Sequence, residues 1–195
     1  MRNLIILLLA LNFPTLSFGC VCEIIDSTNI GDWMKEADFV VEGEYMTNIN
    51  PNDELRNGRN GQNLGFDILF KITTVIKGTV STDTIALIQF DNGSCTETFE
   101  RGEKYIIFGA EIKKFLCRNN KLRDIEPDST GEYAPTDFPP PGSFIDDKGT
   151  MTYYNCDDEE SQYWDSIAMN YVTTYVSYCT AIHANSRTGQ LIKRN

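Results

Sequence analysis

A mainly β protein built around a small closed barrel of five or six strands, with a short helix before it and a longer one after it, is the fold this sequence predicts, on three grounds. Runs of β-branched and aromatic residues between positions 39 and 112, and again at 151–156, are parted by turn signals at short intervals. Two stretches, 27–38 and 158–178, instead repeat their apolar residues every three or four positions. Six cysteines, all beyond residue 19, form the even count that staples secreted domains.

The elements follow in order. Residues 1–19 carry Arg2, an unbroken apolar run from Leu4 to Leu11, and the small residues Ser17 and Gly19 at the −3 and −1 positions of a cut, which is the layout of a secretory signal peptide. That run is too short to span a bilayer, and no later stretch approaches the ~20 apolar residues a spanning helix needs. A helix is expected from Ser27 to Asp38, capped by Ser27 or Thr28, with Ile30, Trp33, Met34 and Ala37 along one face. Strands come next: Phe39-Val40-Val41 continuing through Gly43 and Tyr45, then Phe66 to Ile76 ending in a Lys77-Gly78 turn, then Thr84 to Phe90. A polar loop from Asn48 to Asn63 divides the first two. Beyond an Asp91-Asn92-Gly93-Ser94 turn and Cys95 lies a continuous β-rich run, Tyr105 to Ile112.

From Asp124 to Gly142 the chain turns acidic and proline-rich, so an insertion is expected at about 118–147. Asp146-Asp147-Lys148-Gly149 reads as a turn and Met151 to Cys156 as a strand. Trp164, Ile167, Ala168, Tyr171, Tyr175 and Tyr178 then form one apolar stripe, predicting a helix from Asp158 to Tyr178 that packs on the barrel. Residues 181–195 read as a C-terminal tail. If 158–178 is a single helix, Cys156 and Cys179 stand about 34 Å apart, beyond the ~7 Å that a disulfide tolerates.

Composition narrows the function. The formal charge is −11, and −12 once Arg2 leaves with the leader, which argues against nucleic-acid or anionic-membrane partners, since both require a basic footprint. The remaining 176 residues suit one domain with embellishments. His183 is the only histidine, so no His-pair zinc site can form and an enzyme is not expected. Pairs such as Asp157-Asp158 and Glu159-Glu160 serve a helix start better than acid–base catalysis.

Cleavage after Gly19 exposes Cys20, the first residue of Cys20-Val21-Cys22. A free α-amine and its own peptide carbonyl can together chelate a metal ion, and a disulfide on that residue would hold the pair rigid. Lipidation of Cys20 is the competing fate. Its signal wants Leu at −3 and a small residue at −2, where this chain has Leu16 at −4 and Phe18 at −2. A redox role for the Cys-x-Cys pair is disfavoured, because such thiols open a helix in a βαβ setting. Asn92-Gly93-Ser94 is a glycosylation sequon in a eukaryotic secretory host.

Cys-x-Cys at the mature terminus, a short helix, Ala37-Asp38-Phe39-Val40-Val41, Val75-Ile76-Lys77-Gly78, a cysteine after the third strand, Phe99-x-x-Gly102-x-x-Tyr105-Ile106-Ile107 and Gly149-Thr150-Met151-Thr152-Tyr153-Tyr154-Asn155-Cys156-Asp157 occur in that order. Together they resemble the tissue inhibitors of metalloproteinases, more narrowly their netrin-like, OB-type inhibitory domain and its bacterial relatives, over most of residues 20–180. The resemblance implies bridges Cys20–Cys95 and Cys22–Cys156, with Cys117–Cys179 as the third pair and Cys22–Cys117 as the alternative. The family's third bridge starts in the first helix, where Lys35 stands here. Each bridge would close more than 60 residues, worth about 4–5 kcal/mol in the chain-entropy model.

The resemblance also implies a mechanism. The Cys20 amine and carbonyl would bind the catalytic zinc of a metalloproteinase in the position such sites leave open. The amine must be neutral to do so, which an α-amino group titrating near ~8 allows. Val21 would enter the protease's primed pocket, and Cys22, Glu23, Asn92, Gly93, Ser94 and Cys95 would complete the contact ridge. Thr or Ser is usual in the family where Val21 stands. The expected protein is therefore a secreted protease inhibitor with no metal or cofactor of its own, acting on a zinc metalloproteinase. The alternative is a secreted, periplasmic or lipid-anchored netrin-like binding module whose cysteines are structural.

Overall fold

The computed structural model describes residues 25–49, 67–89, 96–118, 145–154 and 158–194, without the side chains of 117–118, 153–154 and 158–161. Within them the chain is mainly β. Its elements are α1 (Ile30–Glu36), β1 (Phe39–Asn48), β2 (Asp67–Lys77), β3 (Thr84–Ile88), β4 (Lys104–Gly109), β5 (Glu111–Ile112), β6 (Lys114–Arg118), β7 (Thr150–Tyr154), α2 (Asp158–Asn170), β8 (Val172–Tyr175), β9 (Ala181–His183) and α3 (Arg187–Ile192).

Seven strands form one mixed sheet in the order β5-β8-β3-β2-β1-β4-β9, and β6 and β7 make a separate parallel pair. β3 and β8 are parallel; the other pairings in the large sheet are antiparallel. β4 stands sixth in this order and β5 first, yet only Ala110 separates them in the chain, so the sheet has curled until its two sides approach. It does not close. The Ala110 N–H donates to the Thr174 hydroxyl at 3.1 Å rather than to a strand carbonyl, and the free side of β4 is taken by β9, with Ile107 opposite Ala181 and Tyr105 opposite His183. The closed barrel expected from the run of strands is thus replaced by an open, curled sheet.

Alternation along the strands sorts the core into layers. Ile85 and Leu87 of β3 face inward with Phe70, Phe99, Tyr105 and Ile107. Ala86 and Ile88 face the opposite way, against Phe115, Met151, Trp164 and Ile167. On the remaining face, Ile106 and Phe108 pack with Ile25, Ile30, Val40 and Ile192, and Trp33 and Met34 of α1, with Ala37 just past its end, lie against them. The apolar face expected of the first helix is the one buried. Its start is later than expected, at Ile30, because Asp26 accepts hydrogen bonds from the Thr28 N–H and hydroxyl, both at 2.6 Å, while the Asp26 N–H donates to Asn29 Oδ1. This local turn occupies the residues that would have formed the first helical turn.

The long C-terminal helix is also shorter than expected. α2 stops at Asn170, and Val172-Thr173-Thr174-Tyr175 becomes β8 beside β3. Tyr171 and Tyr175 are four apart, a spacing that keeps two residues on one face in a helix and in a strand alike, and both join the cluster against α2. Tyr178, three residues further, does not fit a strand face and is 53 % exposed. The β-branched triplet favours the strand. With the helix ending at Asn170, the separation that set Cys156 apart from Cys179 no longer holds.

Residues 181–194, expected as a tail, carry β9 and α3, with Ile192 fully buried and the Lys193 ammonium 2.8 Å from Glu42 of β1. The turn at 146–149 is present: the Asp146 carboxylate accepts from the Lys148 and Thr150 N–H groups. The insertion lies mostly outside the described residues. Before and after it, β6 and β7 pair in register from Lys114 with Thr150 to Arg118 with Tyr154.

Candidate functional site

The expected contact ridge has two arms, the new terminus at Cys20 to Glu23 and the segment Asn92 to Cys95. Cys20, Val21, Cys22, Glu23, Asn92, Gly93, Ser94 and Cys95, together with Cys156, lie outside the described residues. Cys117 falls on β6 without a described side chain. Cys179 is buried, 3 % exposed, and disulfide-bonded; each other cysteine side chain lies outside the described residues, so the expected pairings remain expectations.

What the structure describes is the chain that adjoins each of these segments in sequence. The first arm leads into Ile25, which is 1 % exposed in the cluster with Val40, Ile106 and Phe108. The second arm is framed on both sides. Gln89 follows β3 directly, and its side chain spans to Glu97: the Glu97 N–H donates to Gln89 Oε1 at 2.6 Å and Gln89 Nε2 donates to the Glu97 carbonyl at 3.1 Å. An amide side chain thus imitates a strand partner and satisfies two main-chain groups that burial would otherwise leave orphaned. Residues 89 and 97 are held as a pair, with Cys95 two residues from the clamp.

A turn then carries the chain into β4. Gly102 sits at φ +86°, a conformation open to glycine without strain. It lets Phe99 fold back on Tyr105, ring centroids 4.9 Å apart and nearly edge to face. The Tyr105 hydroxyl donates to the Thr98 carbonyl at 3.1 Å and accepts from the Glu100 N–H at 2.9 Å. The Phe99-x-x-Gly102-x-x-Tyr105 motif is therefore a corner that closes on itself, and its Phe99 also packs edge-on against Phe70 of β2. Burial pushes the Tyr105 phenol up, with Glu97, Glu100 and Glu103 nearby adding to the shift.

Glu97 is the electrostatic centre of this corner. It is 8 % exposed. Burial raises its carboxyl to about 7, the Thr98 N–H hydrogen bond opposes that rise, and Glu100 adds to it. Sequence reading passed over Gln89 and Glu97 because polar residues beside an Asn-Gly-Ser turn look solvated. The available signal was their placement, one on each side of 91–95 and each next to an apolar strand or corner.

The Val75-Ile76-Lys77-Gly78 motif works at the opposite end of β2. Lys77 Nζ donates to the carbonyls of Lys35, at 3.1 Å, and Ala37, where α1 ends and its dipole is negative. Gly78 has φ +79°, and a Cβ there would come within 2.3 Å of the Asp38 carbonyl oxygen.

His183 is exposed on β9, and its ring lies tilted against that of Tyr105, centroids 4.5 Å apart. Among the described residues no three His, Cys, Asp or Glu side chains gather as a metal site, and no helix is long and apolar enough to cross a membrane. The chain matches no protein-family model, no curated protein and no solved structure.

Proposed function

We propose that this protein is a secreted inhibitor of zinc metalloproteinases, chelating the target's catalytic zinc through the amine and carbonyl of a mature, amino-terminal Cys20. The observation that carries the reading is the clamp beside Cys95. An inhibitor that presents a preformed edge must hold that edge rigid before it meets its target, because ordering it on binding costs affinity. The Gln89–Glu97 pair and the Phe99–Tyr105 corner hold the base of the segment that would flank Cys20. The disulfide at Cys179 fits an oxidising compartment. The sheet order is compatible with the reading: β8 lies parallel beside β3, and the β4–β5 segment pairs with both β1 and β8 in an open, curled sheet, as a partly open OB-type barrel would allow.

A second reading, a netrin-like binding module with structural cysteines, is favoured by one observation. Lys77, Gly78, Phe99, Gly102 and Tyr105 each have structural work in this fold, which accounts for the shared motifs without any inhibitory edge.

Placing one alanine before Cys20 separates the two readings. The extension turns the α-amine into an amide that cannot donate to zinc, so inhibition across a metalloproteinase panel should be abolished while the thermal unfolding profile is unchanged. Val21→Gly should weaken binding less, by at most the ~1.5–3 kcal/mol of a buried aliphatic side chain. Equal inhibition by the native and extended forms, or none by either, transfers the assignment to the binding module. Intact-mass measurement of the mature chain decides whether Cys20 is free or acylated, and an acylated Cys20 removes chelation.

A further inference from the structure

The β3–β4 corner places a carboxyl where a charge is poorly tolerated. Glu97 is nearly excluded from water, its main chain is held on both sides by Gln89, and its Oε1 accepts the Thr98 N–H at 3.0 Å. Thr98 and Glu100 are in turn tied to the Tyr105 hydroxyl. One hydrogen-bonded chain therefore runs from Gln89 through Glu97 and Thr98 to Tyr105. The groups around it, among the described residues, offer the carboxylate little relief: the residue after β3 is the neutral Gln89, the turn contributes Glu100 and Glu103, β4 contributes the Tyr105 phenol, and β9 contributes His183, whose ring lies tilted against that phenol's ring. Lys104 and Arg101 are exposed.

We propose that this corner is a pH-sensitive lock: with the Glu97 carboxyl neutral the Gln89–Glu97–Tyr105 chain is closed, and ionisation of that carboxyl loosens it, so the end of β3 and the start of β4 are held together more firmly in acidic than in alkaline surroundings. Geometry sets the direction. A neutral carboxyl can stay in the dry corner, accept from Thr98 and carry no charge past Glu100. A carboxylate in the same place lacks water and faces a like charge, so it gains by moving outward, and its main chain is the part that Gln89 grips. The carboxyl's rise to about 7 places the change near neutrality. The lock is a property of the fold and does not depend on the inhibitor reading.

The test is nuclear magnetic resonance on the full mature chain. The Glu97 side-chain carboxyl carbon should titrate with a midpoint above 5.5, and a midpoint at or below 5.5 overturns the proposal. Protection factors of the Glu97 and Glu100 amides, each corrected for intrinsic exchange, should fall at least tenfold between pH 5.5 and 8.5. The Phe108 amide of β4, bonded to the Thr180 carbonyl, is the reference and should change less than twofold. In Glu97→Gln the tenfold loss should disappear. An equal loss at Phe108 marks general unfolding and overturns a local lock; an equal loss in Glu97→Gln assigns the effect to other groups, His183 included, and overturns it too. Should Glu97→Gln fail to fold, the wild-type titration and the Phe108 comparison still decide.

Discussion

Two junctions tie the strands together, and they do so by opposite means. At the end of β2, Lys77 reaches out to carbonyls at the end of α1 and Gly78 slips beneath Asp38. At the meeting of β3 and β4, Gln89, Glu97, Phe99 and Tyr105 close a corner from which water is almost excluded. The first junction uses a charge that remains partly solvated, so its loss is cushioned by water. The second uses polar groups that have no such recourse, so each partner removed leaves another stranded. Polar groups of similar kind thus weigh differently according to whether water can replace them.

Removing the apolar half of the buried corner should have the largest effect. Phe99 is fully buried between Phe70 and Tyr105, and Phe99→Ala should lower unfolding free energy by about 3–5 kcal/mol in a denaturant titration. A loss under about 1 kcal/mol would show that the corner is not the firmer junction.

The pH dependence of stability sharpens the comparison next. The folded-state carboxyl of Glu97 titrates at about 7 against an ordinary value of 4.5, so between these values the folded protein binds more protons than the unfolded chain. Stability should therefore fall as pH rises from 4.5 through 7 and level off above, by about 2–3 kcal/mol once some solvent relaxation is allowed. Glu97→Gln should flatten this slope. Thermal unfolding midpoints from pH 4.5 to 8.5 give the readout, and a wild-type curve no steeper than the variant's would count against the buried carboxyl.

The solvated junction should respond least. Gly78→Ala should cost about 1–3 kcal/mol, because an L side chain is strained at φ +79° and the Asp38 carbonyl stands in its way. Lys77→Met should cost only about 0.3–1 kcal/mol, the usual worth of a cation at a helix end. Should Lys77→Met prove as damaging as Phe99→Ala, the contrast between the junctions fails.

Much of the architecture was legible in the residues. Ile30, Trp33 and Met34 share the buried face of α1 as their 3–4 spacing predicts, with Ala37 joining the same cluster just past the helix end, and the apolar alternation of Phe39 to Tyr45 places them in a strand. The site was legible only in part. The family resemblance implies a role for the Asn92–Cys95 segment, but the Gln89–Glu97 clamp on either side of it in sequence was invisible, since whether a glutamate is buried depends on which distant strands cover it.

Taken alone, the sequence determined a mainly β chain, the buried face of α1 and the turns at 78 and 149, where each glycine adopts positive φ. These are local choices, made within a few residues by alternation, helical spacing and backbone sterics. Tertiary structure decided where α2 ends, that β8 lies parallel to β3, that the sheet curls without closing, that 181–194 folds back as β9 and α3, and that Glu97 is buried. The reason is physical: a spacing of four fits a helix and a strand equally, so Tyr171 and Tyr175 could not choose between them, and only the free edge of β3, brought close by the rest of the chain, tipped the balance.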